Sequence, residues 1–183
     1  LPVHIECFDN SNIQGSIPVA SCVVFKNGKP AKSLYRHYNI KSVVGANDFA
    51  SMEEVVYRRY HRLQEEGSPL PQLIVIDGGK GQLNAAMESI KKLELDREIA
   101  LIGIAKKLEE IFFYGDNVPL YLDKNSPSLK IIQQLRNEAH RFAISFHRNK
   151  RSSTAISSEL EKIKGIGDKT KEILLKDLGS VKN

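Results

Sequence analysis

Nowhere does this chain contain an apolar run approaching the roughly 18 residues a membrane-spanning helix needs, and no charged-then-apolar leader opens it, so a soluble protein is expected. Cysteine is scarce. Cys7 and Cys22 lie in apolar, strand-like stretches where a small buried thiol is the ordinary occupant, which excludes a disulfide framework and points to a reducing, cytoplasmic setting. The glycine-rich run Asp77-Gly78-Gly79-Lys80-Gly81-Gln82 lacks the four-residue gap between glycines, and the Ser or Thr after lysine, that a phosphate-cradling P-loop requires; ATP binding is excluded. Acids are missing from one long stretch. Between Lys130 and Arg151, six cations (Lys130, Arg136, Arg141, Arg148, Lys150 and Arg151) meet the single acid Glu138, so this segment alone has as much net charge as the whole chain of 183 residues, +5. Such a local field is either a solvated helical face or a track for a phosphate backbone.

With 41% hydrophobic residues the chain can bury one good core and a small appendage, and its start at Leu1 suggests a piece of a longer protein. Two short apolar runs, residues 3–8 and 73–76, read as strands and end in Asp9 and Asp77; the second is the continuous β-branched kind buried on both faces, and Gly78 and Gly79 reverse the chain after it. Strands over 19–25 and 33–40 flank Asn27-Gly28, a hairpin signal. Asp48 opens a helix whose apolar positions are Met52, Val55, Val56, Tyr60 and Leu63, stopped by Gly67-Ser68-Pro69. A helix over 80–93, a fifth strand over 99–105, a short hairpin of 111–114 turning at Gly115-Asp116-Asn117, and a long helix from near Ser128 complete the order of elements. Three hairpin strands followed by βα units describe an α/β fold, a mixed five-stranded sheet with helices on its faces, as in ribonuclease H-like nucleases.

If the strands ending in Asp9 and Asp77 are neighbours, both carboxylates emerge at one edge of the sheet, where like charges repel unless a cation or proton lies between them. A divalent metal is therefore predicted. Mg²⁺ is typically held by one or two carboxylates and keeps several waters, and such a hard cation suits phosphodiester hydrolysis because it neutralises phosphoryl charge and lowers the pKa of an attacking water. Taken singly, each aspartate is equally a turn former or helix cap. Glu6 shares a face with Phe8, while Asp9 projects with Cys7 and Ile5, so Glu6 is not expected to be a ligand.

Four stretches, residues 5–11, 48–52, 75–82 and 136–143, resemble in order the C-terminal endonuclease half of the UvrC family, the incision subunit of bacterial nucleotide-excision repair. The match spans residues 3 to about 151. Position 12 is Asn where the family often has His, and Gly165-Ile166-Gly167 with its flanks resembles the helix-hairpin-helix that follows in that family, without the second copy. The resemblance implies an endonuclease domain over 1–151, a linker over 152–158 and a partial helix-hairpin-helix over 159–183. It further implies a catalytic cluster of Asp9, Asp77 and His140 around one Mg²⁺ or Mn²⁺, the cut 5′ to a lesion in damaged double-stranded DNA, and a damage-loading partner, UvrB. His140 is a metal ligand or a general acid or base; Asp48 is a helix N-cap or a helper of the site.

The remaining candidates are contacts to the DNA backbone. Lys80 opens a helix, Lys106 follows the fifth strand, and Arg136 stands i, i+4 from His140 on one helix face; each is a phosphate contact or a plain surface cation, as are Arg141 and Arg148. In the Gly165-Ile166-Gly167 turn, beside Lys169, backbone N–H groups suit a phosphate oxygen without reading sequence, unless the turn is merely a connector. His4, His37, His61 and His147 read as structural or surface groups. Another ribonuclease H-like nuclease (a junction resolvase or RNA-strand hydrolase) and a non-catalytic DNA-binding module are the competing readings.

Overall fold

The computed structural model describes residues 2–11, 19–41, 47–105, 110–160 and 170, with side chains described to residue 145 and again at 170. Strands β1 (His4–Ser11), β2 (Val19–Lys26), β3 (Lys29–Pro30) and β4 (Arg36–Asn39) come first, followed by α1 (Asp48–Glu65), β5 (Leu73–Asp77), α2 (Lys80–Lys92), β6 (Ala100–Ala105), β7 (Glu110–Phe113) and α3 (Pro127–Leu160). Two compact units, Leu1–Ala143 and Ile144–Asn183, divide the chain, and the whole sheet belongs to the first.

The sheet is mixed and has seven strands in the order β3-β2-β1-β5-β6-β7, with β4 also paired to β2. All five expected strands are present, and two differences bring the number to seven. Asn27 and Gly28 both take positive φ, the turn the Asn-Gly pair predicts, but the returning strand is broken: residues 32–35 stand opposite Val23 alone, between the contact of Ala31 with Val24 and the pairing of Arg36 with Cys22. Pro30, with no N–H to donate, ends β3, and a 3₁₀ turn over Lys32–Leu34 carries the chain to β4. At the other edge β7 joins β6 antiparallel, while the second arm of its hairpin pairs only through Ile111 and Leu120 among the described residues.

Strands β1, β5 and β6 run parallel, and β5 shows the uniform burial its apolar run predicts. Helices α1 and α2 cover one face. The Phe8 and Tyr60 rings meet at 6.1 Å there, and a Cβ on Gly103 would stand 3.4 Å from Leu83 of α2. The opposite face takes α3, whose Leu135, Ala139 and Ala143 are fully buried. Helix α1 begins differently from expectation: Asn47 is the cap, its Oδ1 accepting from the Ala50 N–H at 3.1 Å, and Asp48 is the first helical residue, where a negative charge favours the helix dipole. At its end Gly67, at φ 58°, allows Ser68 N–H to reach back to the Leu63 carbonyl, the stop expected from Gly-Ser-Pro.

Residues 152–158 continue α3 as helix, so the serine-rich stretch expected to be a linker has regular backbone; serine is only mildly unfavourable in a helix. The expected helix-hairpin-helix over 159–183 lies outside the described residues apart from Leu160 and Thr170 and the last turn of α3. Among the described residues no helix is long and apolar enough to cross a membrane. Cys7 and Cys22 are free, buried thiols, as expected.

Candidate metal centre

Phe8 pairs with Ile76 in the parallel ladder of β1 and β5, so the next residues, Asp9 and Asp77, lie side by side and point to the same face. Both are nearly inaccessible, at 2% and 4% exposure. Two carboxylates so placed create a local negative potential, and a neighbouring group registers it: the Cys7 thiol is pushed well above its ordinary pKa by burial first and then by Asp77 and Asp9, with Arg136 opposing.

Across from them α3 brings His140, 131 residues from Asp9, so that its Nδ1 lies 3.0 Å from Asp9 Oδ2. Asp9, Asp77 and His140 each present one ligand atom, all within 4.8 Å of one another. Adjacent ligands of an octahedral ion bound at about 2.1 Å stand about 3 Å apart, so the Asp9–His140 spacing suits one small divalent cation. The donor set, two hard carboxylates and a borderline imidazole, suits Mg²⁺ or Mn²⁺. The carboxylates are sealed from water, but the His140 side chain is half exposed, which leaves one open side for a substrate.

The surroundings follow from the ends of three elements meeting here. Asn10 Nδ2 donates to the Asp48 backbone carbonyl at 2.8 Å, tying the start of α1 to the residue after Asp9. A Cβ on Gly81 would stand 2.5 Å from the Phe49 ring, so the first turn of α1 comes against the first turn of α2 at this edge, with the exposed Phe49 ring over Gly81. Asp48 is exposed and lies outside the three-residue group.

The expected phosphate contacts divide. Arg136 is half-buried on the helix turn before His140, with its Nη2 3.2 Å from Asn137 Oδ1. The Lys80 ammonium donates to the Asn117 carbonyl at 2.6 Å and lies over the Phe112 ring, anchoring the β7 hairpin to α2. Arg141 forms a two-bond fork with Glu138, both at 2.7 Å, which holds the Glu138 carboxyl below its usual pKa. Lys106, the Arg148 side chain, Gly165, Gly167 and Lys169 lie outside the described residues, as does Asn12.

Two features carry no signal in the sequence alone. Glu6 is fully buried and held by Arg59 Nη2 (2.6 Å), Tyr60 OH (2.9 Å) and His4 Nε2 (3.2 Å). Burial raises its carboxyl pKa, but these donors outweigh burial and bring it down to about 2. Its place away from Asp9 was legible from strand alternation; its partners on α1 were not. On the other face, Ser21 and His37 contact main-chain carbonyls of α3 beside His140. Ser21 stands opposite Asp9 in the β1–β2 ladder and opposite His37 in the β2–β4 ladder, but nothing local shows that α3 lands there.

A family model described as the UvrC RNase H endonuclease domain matches residues 1–144. Similar proteins named UvrABC system protein C include those of Flavobacterium psychrophilum, 67% identical over 181 residues covering 99% of this chain and 30% of the relative. Another, from Cytophaga hutchinsonii, is 61% identical and covers 100% of this chain and 31% of the relative. The chain thus spans about 30% of the length of the relatives it matches. Among solved structures, Ciona intestinalis endonuclease V in complex with inosine-containing DNA aligns with a TM-score of 0.44 and 19% identity over 60% of this chain and 48% of that one. Human endonuclease V aligns with a TM-score of 0.38 and 16% identity over 73% and 54%.

Proposed function

This chain belongs to the UvrC RNase H endonuclease domain family, and from that premise we propose that it is the metal-dependent part that makes the 5′ incision in nucleotide-excision repair. The observation that carries the reading is the meeting of Asp9, Asp77 and His140, far apart in the chain, with ligand atoms within 4.8 Å. A divalent cation held there, Mg²⁺ or Mn²⁺, neutralises charge on the phosphoryl oxygens and lowers the pKa of an attacking water.

The chain's own groups do the rest. Asp9 and Asp77, shielded from bulk water, present their carboxylate oxygens toward the open side of the site, where they would hold the cation. His140 would complete the set of groups that hold the cation or, with its Nδ1–H directed to Asp9, would hold or give up a proton at Nε2 near the scissile phosphate. Arg136, on the preceding helical turn, supplies positive charge to a phosphate next to the one cut, and Arg141 and Arg148 are further backbone contacts of the same basic sequence stretch. Lys80, Lys106 and the Gly165, Gly167 and Lys169 turn are further backbone contacts. Asp48 assists from the first turn of α1. The products carry a 5′-phosphate and a 3′-hydroxyl.

Phosphate contacts position a protein without specifying a lesion, so damage is recognised by a loading partner, UvrB, in the cytoplasm where the chromosome lies. Incubating the chain in Mn²⁺ with damaged duplex (with and without that partner), Holliday junction and RNA–DNA hybrid tests this. Nicking of damaged duplex on the 5′ side is expected; cutting confined to the hybrid, or to the junction, overturns the reading. Asp48→Asn is expected to lower nicking while leaving the unfolding midpoint within a few degrees of the parent.

A further inference from the structure

The metal reading requires His140 to stand at one height and rotation along a helix, and the packing of α3 does not by itself ensure that. Leu129, Ile132 and Leu135 bury the first turns of α3, but beside His140 the buried residues are Ala139 and Ala143, and apolar contact is non-directional. A slip of one turn would carry His140 about 5.4 Å away from Asp9.

Directional contacts occur at two points flanking the histidine. Ser21 Oγ donates to the Ala139 carbonyl at 3.0 Å in a buried setting, and His37 Nε2 lies 3.0 Å from the Phe142 carbonyl. A carbonyl only accepts, so His37 carries its proton on Nε2. The His37 ring is also stacked on Phe142, with centroids 3.7 Å apart and planes inclined by 18°. Asp9, Ser21 and His37 form one row across β1, β2 and β4, in register. A short closed circuit results: Asp9 beside Ser21, Ser21 bonded to Ala139, Ala139 joined to His140, and His140 back to Asp9 at 3.0 Å.

We infer that Ser21 and His37 are positioning residues for the nuclease site: they clamp the carbonyls of residues 139 and 142 and so set His140 against Asp9 for metal binding. The inference rests on the metal reading above. Outer contacts that orient a metal-binding histidine are typically worth roughly 10- to 100-fold in metal affinity.

Mn²⁺ titration of the 183-residue chain, followed by electron paramagnetic resonance, tests it without any substrate. Ser21→Ala and His37→Phe, which keeps a stacking ring but loses the donor, are each expected to weaken Mn²⁺ binding roughly 10-fold. His37→Gln, which loses the ring but keeps a donor at the same reach, is expected to stay within about 3-fold of the parent, well short of that loss. His140→Ala is the benchmark. If it weakens binding at least 10-fold while Ser21→Ala and His37→Phe stay within about 2-fold, the clamp is overturned and the metal reading survives. If His37→Phe binds Mn²⁺ as the parent does while His37→Gln loses about 10-fold, the stacked ring rather than the bond acts, and the clamp is again overturned. Should His140→Ala bind Mn²⁺ as the parent does, the metal reading falls and the clamp with it.

Discussion

Strand β1 buries two carboxylates three residues apart, Glu6 and Asp9, on opposite faces of one sheet, and the two faces treat them in opposite ways. Glu6 faces α1 and is surrounded by donors from Arg59, Tyr60 and His4; its charge is neutralised by protein, and its pKa falls. Asp9 faces α3 beside a second buried carboxylate, Asp77, and a half-exposed imidazole. A buried charge enclosed by donors holds a fold together, whereas two buried carboxylates placed side by side next to an imidazole form the pocket that the proposed divalent cation would occupy. The first arrangement is architecture, and the second is the candidate site.

The comparison breaks most visibly under substitution. Asp77→Asn should cost several kcal/mol of transition-state stabilisation, roughly a thousandfold in nicking rate, while thermal unfolding without divalent ions stays at or above that of the parent, because like-charge repulsion is relieved. A loss of nicking matched by loss of fold would erase the distinction between the two faces. Glu6→Gln should do the reverse, lowering stability by about 3 kcal/mol in urea unfolding, since Arg59 is left buried without its countercharge, with Mn²⁺ affinity nearly unchanged.

Acid sharpens the contrast. The Glu6 carboxyl is depressed from 4.5 to about 2, so it binds its proton more weakly in the folded chain than in the unfolded one. Its stabilisation is complete above about pH 4.5 and drains away as pH falls through about 2. The urea midpoints of the parent and Glu6→Gln should therefore converge across that window; a constant gap would show that the carboxylate charge is not what α1 responds to. The smallest effect is expected at the rim of the site, where Asn47→Ala removes the α1 cap and should cost about 1 kcal/mol, with metal affinity unaltered.

Much of the fold is legible from neighbouring residues alone. The β-branched run ending at Asp77, the Asn27-Gly28 turn and the Gly67 stop each follow from local chemistry, and each appears where expected. The misses are equally local in origin. Asn47 is hidden as the α1 cap because Asp48 beside it is as good a capping residue, and the returning strand, expected over 33–40, is shortened to Arg36–Asn39 because a 3₁₀ turn over Lys32–Leu34 follows Pro30. Lys80, proposed from its position as a phosphate contact, also bonds Asn117, a partner 37 residues away that no window includes. The same limit hides the clamp of Ser21 and His37 on α3, across 118 and 105 residues.

What the chain encoded on its own was the set of periodicities and breakers: which residues alternate, which repeat every three or four, and where glycine or proline ends a run. Those properties belong to neighbouring residues, and they suffice to say that Asp9 and Asp77 end strands and that His140 rides on a helix. Which strands adjoin, and at what height α3 crosses them, was decided only in the folded molecule. Parallel pairing of β1 with β5 and the seating of His140 on Asp9 depend on summed packing and hydrogen bonding over separations of more than sixty residues, a balance that no local stretch contains.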